Sequence, residues 1–369
     1  MIEPTFSRPL LTDRTTIETD QTCGMKRWWY KHEGGTGIVP AVEAKYFLDG
    51  RQYHEDFALL AEADDPLKRA KELIEAIEEK LGTETDQIFL ETQTRRAAWI
   101  AANGLFIEPE LRLTHRTIHV EWELVLDRSP LWVAVTPDRV LERISDGKLI
   151  YRDYKGVGGW GATYNWMNHW PYAIQLHTVI AAVQEELDRP VAYAQIMGLA
   201  KGQERDGKLS HPYVWAYSDG ADEWMPVVGD GYYYEAKKKG LTKRPVWEYA
   251  GGILKWVSDL GPDVARNQFP FSAPVFLNER LLNWLVKSRT RREKELDLFG
   301  AKCQTDLDAR LAHFPPNFNE CRPVVGTECP YLAACHNATV NSDPLRSGMY
   351  VVRTPHHDLE TTMKGEDNE

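Results

Sequence analysis

Residues 136–156 read TPDRVLERISDGKLIYRDYKG, and this stretch decides the fold. Two runs rich in Val, Leu, Ile and Tyr flank the turn tripeptide Ser145-Asp146-Gly147, so the spacing predicts a β-hairpin. Asp138 stands at the start of the first strand and Asp153-Tyr154-Lys155 near the end of the second, so the hairpin brings the two carboxylates onto neighbouring strands. Residues two apart share one face of a strand, which puts the Lys155 ammonium beside the Asp153 carboxylate. Paired carboxylates in this setting are hard oxygen ligands for Mg2+ or Mn2+. An ion held there binds phosphate oxygens, lowers the pKa of an attacking water and neutralises charge on a leaving oxygen, while the lysine orients the water or stabilises the transition state. The other reading of the same residues is an Asp-Lys ladder across a wet sheet face.

Around the hairpin, residues 87–153 break into the short segments DQIFLETQ, AAWIAANGLFIEP, RTIHVEWELVL, LWVAVTPDRVLE and KLIYRDYKG, which predict strands. Upstream, from Ala41 to Leu81, apolar residues recur at three and four, as in Phe57, Leu60 and Ala61, then Leu73, Ile74 and Ile77; they predict two helices separated at Asp65-Pro66. Downstream of a glycine-rich loop, Gly156 to Gly161, WMNHWPYAIQLHTVIAAVQEEL predicts a helix beginning near Pro171. Strands follow at VAYAQIMGLA and HPYVWAYS, then helices through GGILKWVSDL and FLNERLLNWLVKSRTRREKELDLFGAKC. The opening residues read as irregular up to CGMKRWWYKHEGG, which is helical in part, and the stretch from Asn341 reads as polar and loose. The expectation is an α/β (α+β) chain, with a mixed central sheet flanked by helices and helical additions. Its segments are an N-terminal piece with Cys23 (1–40), the core (41–220), a helical region (221–300), a cysteine-cluster tail (301–340) and a polar tail (341–369).

With 369 residues, 43% of them hydrophobic and 27% charged, the chain can bury a large core as a soluble globular protein. No apolar run approaches the roughly 20 residues that cross a bilayer, and MIEPTFSRPLLTDRTT lacks the apolar stretch of a signal peptide, so the expected location is intracellular, in the cytoplasm, with no membrane partner. A net charge of -11 excludes nucleic-acid binding through overall charge. Any such contact falls to local patches: Lys237, Lys238, Lys239, Lys243 and Arg244, or Lys287, Arg289, Arg291, Arg292 and Lys294. For either patch alone a solvated helix face is the more ordinary reading. No phosphate-binding G-x-x-x-x-G-K-(S/T) loop is present, so unwinding a duplex would need a partner.

Five cysteines in a chain expected inside the cell are poor disulfide candidates. In NECRPVVGTECPYLAACH, Cys321, Cys329 and Cys335 are separated by seven and five residues, wider than the paired C-x-x-C of zinc ribbons. Free thiols, a zinc site and an iron-sulfur site all remain open for them. Cys303 falls within a predicted helix and reads as a spare.

Several short motifs, in one order along the chain, resemble the RecB-like branch of the PD-(D/E)XK nuclease superfamily, the branch of the RecB and AddB nuclease domains and the CRISPR-adaptation nucleases. CGMKRWWYKHEGG resembles its opening C-P-R-(K/R)-aromatic-aromatic motif; LDGRQYHED resembles its G-x-x-x-H helix; VEWELVL precedes the PD strand where an acidic residue is frequent; HWPYAIQLHTVIAA resembles the helix that carries a glutamine toward the site. The resemblance implies a restriction-endonuclease-like core, with His54, Asp138, Asp153 and the Tyr154 carbonyl as ligands of Mg2+ or Mn2+, and Lys155, Gln175 and Glu121 (rather than Glu123) completing the catalytic set. His177, two positions from Gln175, reads as structural. It also implies a [4Fe-4S] cluster on Cys23, Cys321, Cys329 and Cys335, with zinc as the alternative. The implied activity is a metal-dependent deoxyribonuclease, an exonuclease on single-stranded or end-processed DNA, working with single strands or duplex ends and a helicase or recombinase partner. The sequence departs from the family's Q-x-x-x-Y and D-Y-K-T at Val179 and Gly156, which bears on substrate handling. A second expectation keeps the fold but makes the chain a catalytically weak DNA-end-binding or partner-binding subunit.

Overall fold

In chain order, the strands β1 (Leu10–Asp13), β2 (Ile38–Pro40), β3 (His115–Val120), β4 (Leu124–Arg128), β5 (Leu131–Val135), β6 (Arg139–Arg143), β7 (Leu149–Val157) and β8 (Val191–Ala200) are interspersed with the helices α1 (Arg14–Thr22), α2 (Gly24–Arg27), α3 (Lys45–Glu62), α4 (Pro66–Leu81), α5 (Gln87–Ala102), α6 (Glu108–Thr114) and α7 (Ile174–Leu187); α8 (Ile253–Arg266) and α9 (Glu279–Thr305) follow. This is a computed structural model, and it describes residues 9–355 except 43–44, 82–86, 158–169, 201–202, 206–207, 211–212, 219–223, 228–241, 246–251, 267–268, 270 and 322–327. The chain is a mixed α/β protein whose sheets are flanked by helices. β3, β6, β7 and β8 lie side by side in that order; β6 is antiparallel to β3 and β7, and β8 is parallel to β7. A parallel neighbour requires a crossover, which α7 supplies. β1, β5 and β4 form a second, three-stranded sheet.

The predicted hairpin is present. Gly147 takes a φ of 68°, the left-handed conformation that its turn requires, and its N–H donates to the Arg143 carbonyl at 2.8 Å. Arg139 pairs with Arg152, so one step further along the two strands come Asp138 and Asp153. Alternation along β7 then sorts its side chains. Leu149 and Tyr151 pack with Leu176, Val179 and Ile180 of α7, whereas Tyr154 packs on the opposite face with Tyr53, Phe57 and Trp99 of α3 and α5. Each such enclosed side chain contributes about 1.5–3 kcal/mol, so both faces of the strand that carries Asp153 and Lys155 are clamped.

The structure corrects the sequence reading in several places. Gln87–Ala102, expected as strands, is α5, followed by a π turn at Asn103–Ile107. Ala97, Ala98, Trp99, Ile100, Ala101 and Ala102 are all buried, so the last part of this helix is apolar on every side and shows no amphipathic period. At Gly104 a Cβ would stand 2.5 Å from the Ala70 Cβ, so only glycine lets the turn approach α4 this closely. The irregular opening is instead β1 and α1, the helix being capped by Asp13, which accepts from Thr16 N at 2.7 Å. The start of the expected helical region holds strands: Tyr213–Ser218 pairs with Trp224–Val227 and with Thr242–Pro245. The tail from Asn341 is not loose throughout, because Tyr350–Val352 pairs with β2 and buries Tyr350; residues 356–369 lie outside the described ones. Three- and four-residue strands are too short to show a period, which is why sequence patterning passes over them.

Of the two basic patches, the side chains of Lys237, Lys238, Lys239, Lys243 and Arg244 lie outside the described residues, as do residues 158–161 of the glycine-rich loop. The patch on α9 is not a free cationic face. Arg289 donates to Asp20 at 2.7 Å and Arg292 donates to Asp20 at 3.0 Å, while Lys287 and Arg291 point outward. Alongside them the fully buried Arg27 makes a two-pronged pair with Glu293, at 3.0 and 2.6 Å. These contacts tie α1 and α2 to α9. Among the described residues no helix is long and apolar enough to cross a membrane.

Candidate metal centre and cysteine cavity

His54, Glu121 and Asp138 each offer a ligand atom, and these atoms lie within 4.8 Å of one another, a grouping that can hold a metal ion. His54 comes from α3, its ring edge-on to Tyr154. Nδ1 lies 3.3 Å from Glu121 Oε1 and 3.4 Å from Asp138 Oδ1. Asp138, in the turn before β6, is fixed by its other oxygen, which accepts from the Tyr154 backbone N–H at 2.7 Å. Glu121 follows β3 with a φ of 44°, a left-handed conformation that costs a non-glycine residue about 1–3 kcal/mol. Its N–H donates to the Asp138 carbonyl at 3.1 Å, so the strained turn and the PD turn hold each other. The acidic position chosen from sequence is therefore in the centre, as a candidate ligand.

Asp153 is not a member of that three-residue grouping, although the resemblance makes it a ligand with His54, Asp138 and the Tyr154 carbonyl. It is completely buried on the adjoining strand. Lys155 Nζ lies 2.6 Å from Asp153 Oδ2 and donates to the Tyr154 carbonyl at 3.2 Å. Gln175, in the first turn of α7, donates to Asp153 Oδ1 at 3.2 Å. Tyr151, which sequence reasoning left out, donates to the same oxygen at 2.6 Å. Strand alternation was the signal that could have found it, since Tyr151 and Asp153 share a face. His177 is structural: it is buried, and its ring bridges the Pro171 carbonyl at 3.1 Å and the Asn278 N–H at 3.2 Å.

The charges of the centre act on one another. Burial lowers the affinity of His54 for its proton, but the Asp138 charge and the bonds to Asp138 and Glu121 outweigh this and raise its pKa to about 10. Burial pushes Asp138 up, yet His54 and Lys155 together bring it down to about 2. At Asp153 burial wins over the Lys155 ammonium, with Asp138 adding to it, and the pKa is raised. In the metal-free protein His54 is therefore a cation from neutral pH up to about 10. An ion taking Nδ1 must expel that proton, so Mn2+ affinity is expected to rise by up to about tenfold per pH unit between pH 6 and 9. Calorimetric titration in buffers of different ionisation enthalpy checks this by counting one proton released per ion. The stability of the metal-free protein runs the opposite way. The His54 contribution is complete below its ordinary 6.5 and is lost as pH rises through about 10; that of Asp138 is complete above 3.8 and is lost as pH falls through about 2.

The chain ends build a separate core from Met25, Trp28, Trp29, Ile38, Leu296, Phe314, Tyr331 and Tyr350. At its edge, Cys23, Cys321, Cys329 and Cys335 line one cavity of about 380 Å³, and all are free thiols. Cys23 sits at the junction of α1 and α2. Its sulfur accepts from the Asn317 N–H at 3.3 Å, and the Cys335 sulfur accepts from the Trp29 indole at 3.1 Å. Burial raises the pKa of Cys321, Cys329 and Cys335, the last to about 11, and neighbouring thiols of the set add to each shift. Four cysteines around one cavity, with N–H donors on two of the sulfurs, have the donor chemistry of a thiolate-held metal group, although among the described residues no three of the sulfurs lie as close together as the ligand atoms of His54, Glu121 and Asp138. His336, missed in the sequence reading although it adjoins Cys335, also lines the cavity, with Nε2 3.5 Å from Cys321 Sγ. Cys303 is buried in α9 and does not line it. No protein-family model matches this chain, and no curated protein matches it.

Proposed function

We propose that this chain is a metal-dependent deoxyribonuclease with a restriction-endonuclease-like core of the PD-(D/E)XK kind, acting as an exonuclease on single-stranded or end-processed DNA. The observation that carries the reading is the meeting of two sets where β6 and β7 run side by side: His54, Glu121 and Asp138, a grouping that can hold an ion, and the buried Asp153 with its Lys155 at 2.6 Å. Bound there with Asp153 as a further ligand, Mg2+ or Mn2+ supplies Lewis-acid charge and a bound water of lowered pKa. Asp138 and Glu121 supply hard oxygens and His54 a neutral nitrogen once its proton has left. Lys155, mostly buried and next to these carboxylates, sets a positive charge where a phosphate would gain negative charge, and Gln175 holds Asp153 in place.

In the same reading Cys23, Cys321, Cys329 and Cys335 hold a [4Fe-4S] cluster that joins the two chain ends. His336 beside Cys321 favours zinc as the second candidate for that cavity. Iron with brown colour near 400 nm, against zinc without colour, separates the two.

Cleavage of end-labelled single- and double-stranded DNA by anaerobically purified protein, with Mg2+, Mn2+ or EDTA and beside Asp153→Ala, tests the function. Metal-dependent cleavage that falls by at least about a hundredfold in Asp153→Ala is the expected result. A parent protein that binds DNA ends but leaves them intact would replace the nuclease with an end-binding subunit.

A further inference from the structure

Tyr151 is completely buried in the core between β7 and α7, where a phenylalanine ring would fill the same space. Its hydroxyl therefore needs a reason, because a buried hydroxyl without a partner costs about 1–3 kcal/mol. The partner is Asp153 Oδ1, at 2.6 Å. That oxygen also accepts from Gln175 Nε2 at 3.2 Å, so two neutral donors tie it down. The other oxygen, Oδ2, lies 2.6 Å from the Lys155 ammonium in a charge-assisted contact and meets no further donor among the described residues. A buried carboxylate tied at one oxygen by two neutral donors keeps its second oxygen for cations, and here that oxygen already meets the Lys155 ammonium.

We infer that Tyr151 is a positioning residue of the metal centre: its hydroxyl holds Asp153 Oδ1 so that Oδ2 is presented to the divalent ion shared with Asp138. The inference rests on the metal-centre reading above and adds a residue to it. At 2.6 Å from a carboxylate oxygen the hydroxyl acts as a hydrogen-bond donor. Gln175 comes from α7 and Tyr151 from β7 itself, so the carboxylate is oriented from two elements that share one core. Groups that orient a ligand typically alter metal affinity by about 10- to 100-fold when removed.

The test is Tyr151→Phe in the full chain, with Mn2+ binding to metal-free protein followed by calorimetry and cleavage followed against Mn2+ concentration. The expected result is an apparent Kd for Mn2+ weakened by about tenfold or more, a maximal rate at saturating Mn2+ within about threefold of the parent, and a melting temperature lowered by no more than a few degrees. Unchanged Mn2+ affinity, or a lost rate that added Mn2+ does not restore, overturns the inference. The change is also introduced into Asp153→Asn: there it should weaken Mn2+ binding no further, and a second tenfold loss would show that Tyr151 does not act through Asp153. If the parent binds Mn2+ without cutting DNA, the nuclease reading fails while the calorimetric shift in Tyr151→Phe still decides the role of Tyr151.

Discussion

Asp138→Asn is expected to abolish measurable Mn2+ binding and to slow metal-dependent cleavage by at least about a thousandfold while leaving the fold intact. Asp138 is the residue on which both halves of the centre depend. One oxygen faces His54 and the other accepts the Tyr154 N–H, so both lone-pair directions are in use before an ion arrives. Asparagine keeps the volume but must turn its NH2 toward one of two sites built for an acceptor. Rotated one way it opposes the Tyr154 N–H, and rotated the other way it faces His54. The lost charge matters more than the lost geometry. Asp138 is the largest influence that raises His54, and without it burial dominates and the imidazole loses its proton at a far lower pH. A titration of the His54 ring by NMR therefore reports the change independently of activity. Glu121→Gln should be the milder variant, because that side chain is 38% exposed and retains access to water. Wild-type Mn2+ affinity in Asp138→Asn would remove Asp138 from the centre altogether.

The hairpin and its acidic pair were legible because three local signals agree there: a turn tripeptide, alternating apolar residues, and a carboxylate, Asp153, two residues from a lysine. His54 and Gln175 were legible only through motif resemblance, since a lone histidine or glutamine on a helix carries no periodic signal. Glu121 was legible as a position, but its strained backbone was not; a φ of 44° at glutamate follows from the turn being fastened to residues 137 and 138 by tertiary hydrogen bonds. The failure at α5 has another cause. A helix covered on all sides has the composition of a buried strand, and Ala97–Ala102 could be distinguished only by length. The basic face of α9 misled for a related reason: Arg289 and Arg292 point inward because Asp20, 269 and 272 residues away in sequence, is there to receive them.

On the proposal that the four cysteines hold an iron-sulfur cluster, Cys23→Ala is expected to lower the unfolding midpoint by several degrees and to lose most of the iron in a ferrozine assay. Two effects compete in setting the size of that loss. A metal group that bridges Cys23 to Cys321 closes a loop of nearly the whole chain, and loop-closure entropy alone makes such a tie worth roughly 5 kcal/mol, because ordering energy and metal-binding energy are then the same quantity. Against this, the chain ends are already held by the Arg27–Glu293 pair, by β2 pairing with Tyr350–Val352, by the Tyr331 hydroxyl donating to the Ile38 carbonyl at 2.9 Å, and by the buried Trp28 and Trp29. Those contacts persist without the metal, so the expected outcome is a loosened junction and not an unfolded chain. Hydrogen exchange should rise first in residues 23–40 and 329–352. α1 connects Cys23 directly to Asp13 and β1, whose parallel partner β5 leads into the turn that carries Asp138. Mn2+ binding at His54 and Asp138 should therefore survive in Cys23→Ala, with no more than about a fewfold weakening, because β5 and β6 keep their own sheet partners. Loss of Mn2+ binding as complete as in Asp138→Asn would instead mean that the cysteine site and the metal centre fold as one unit.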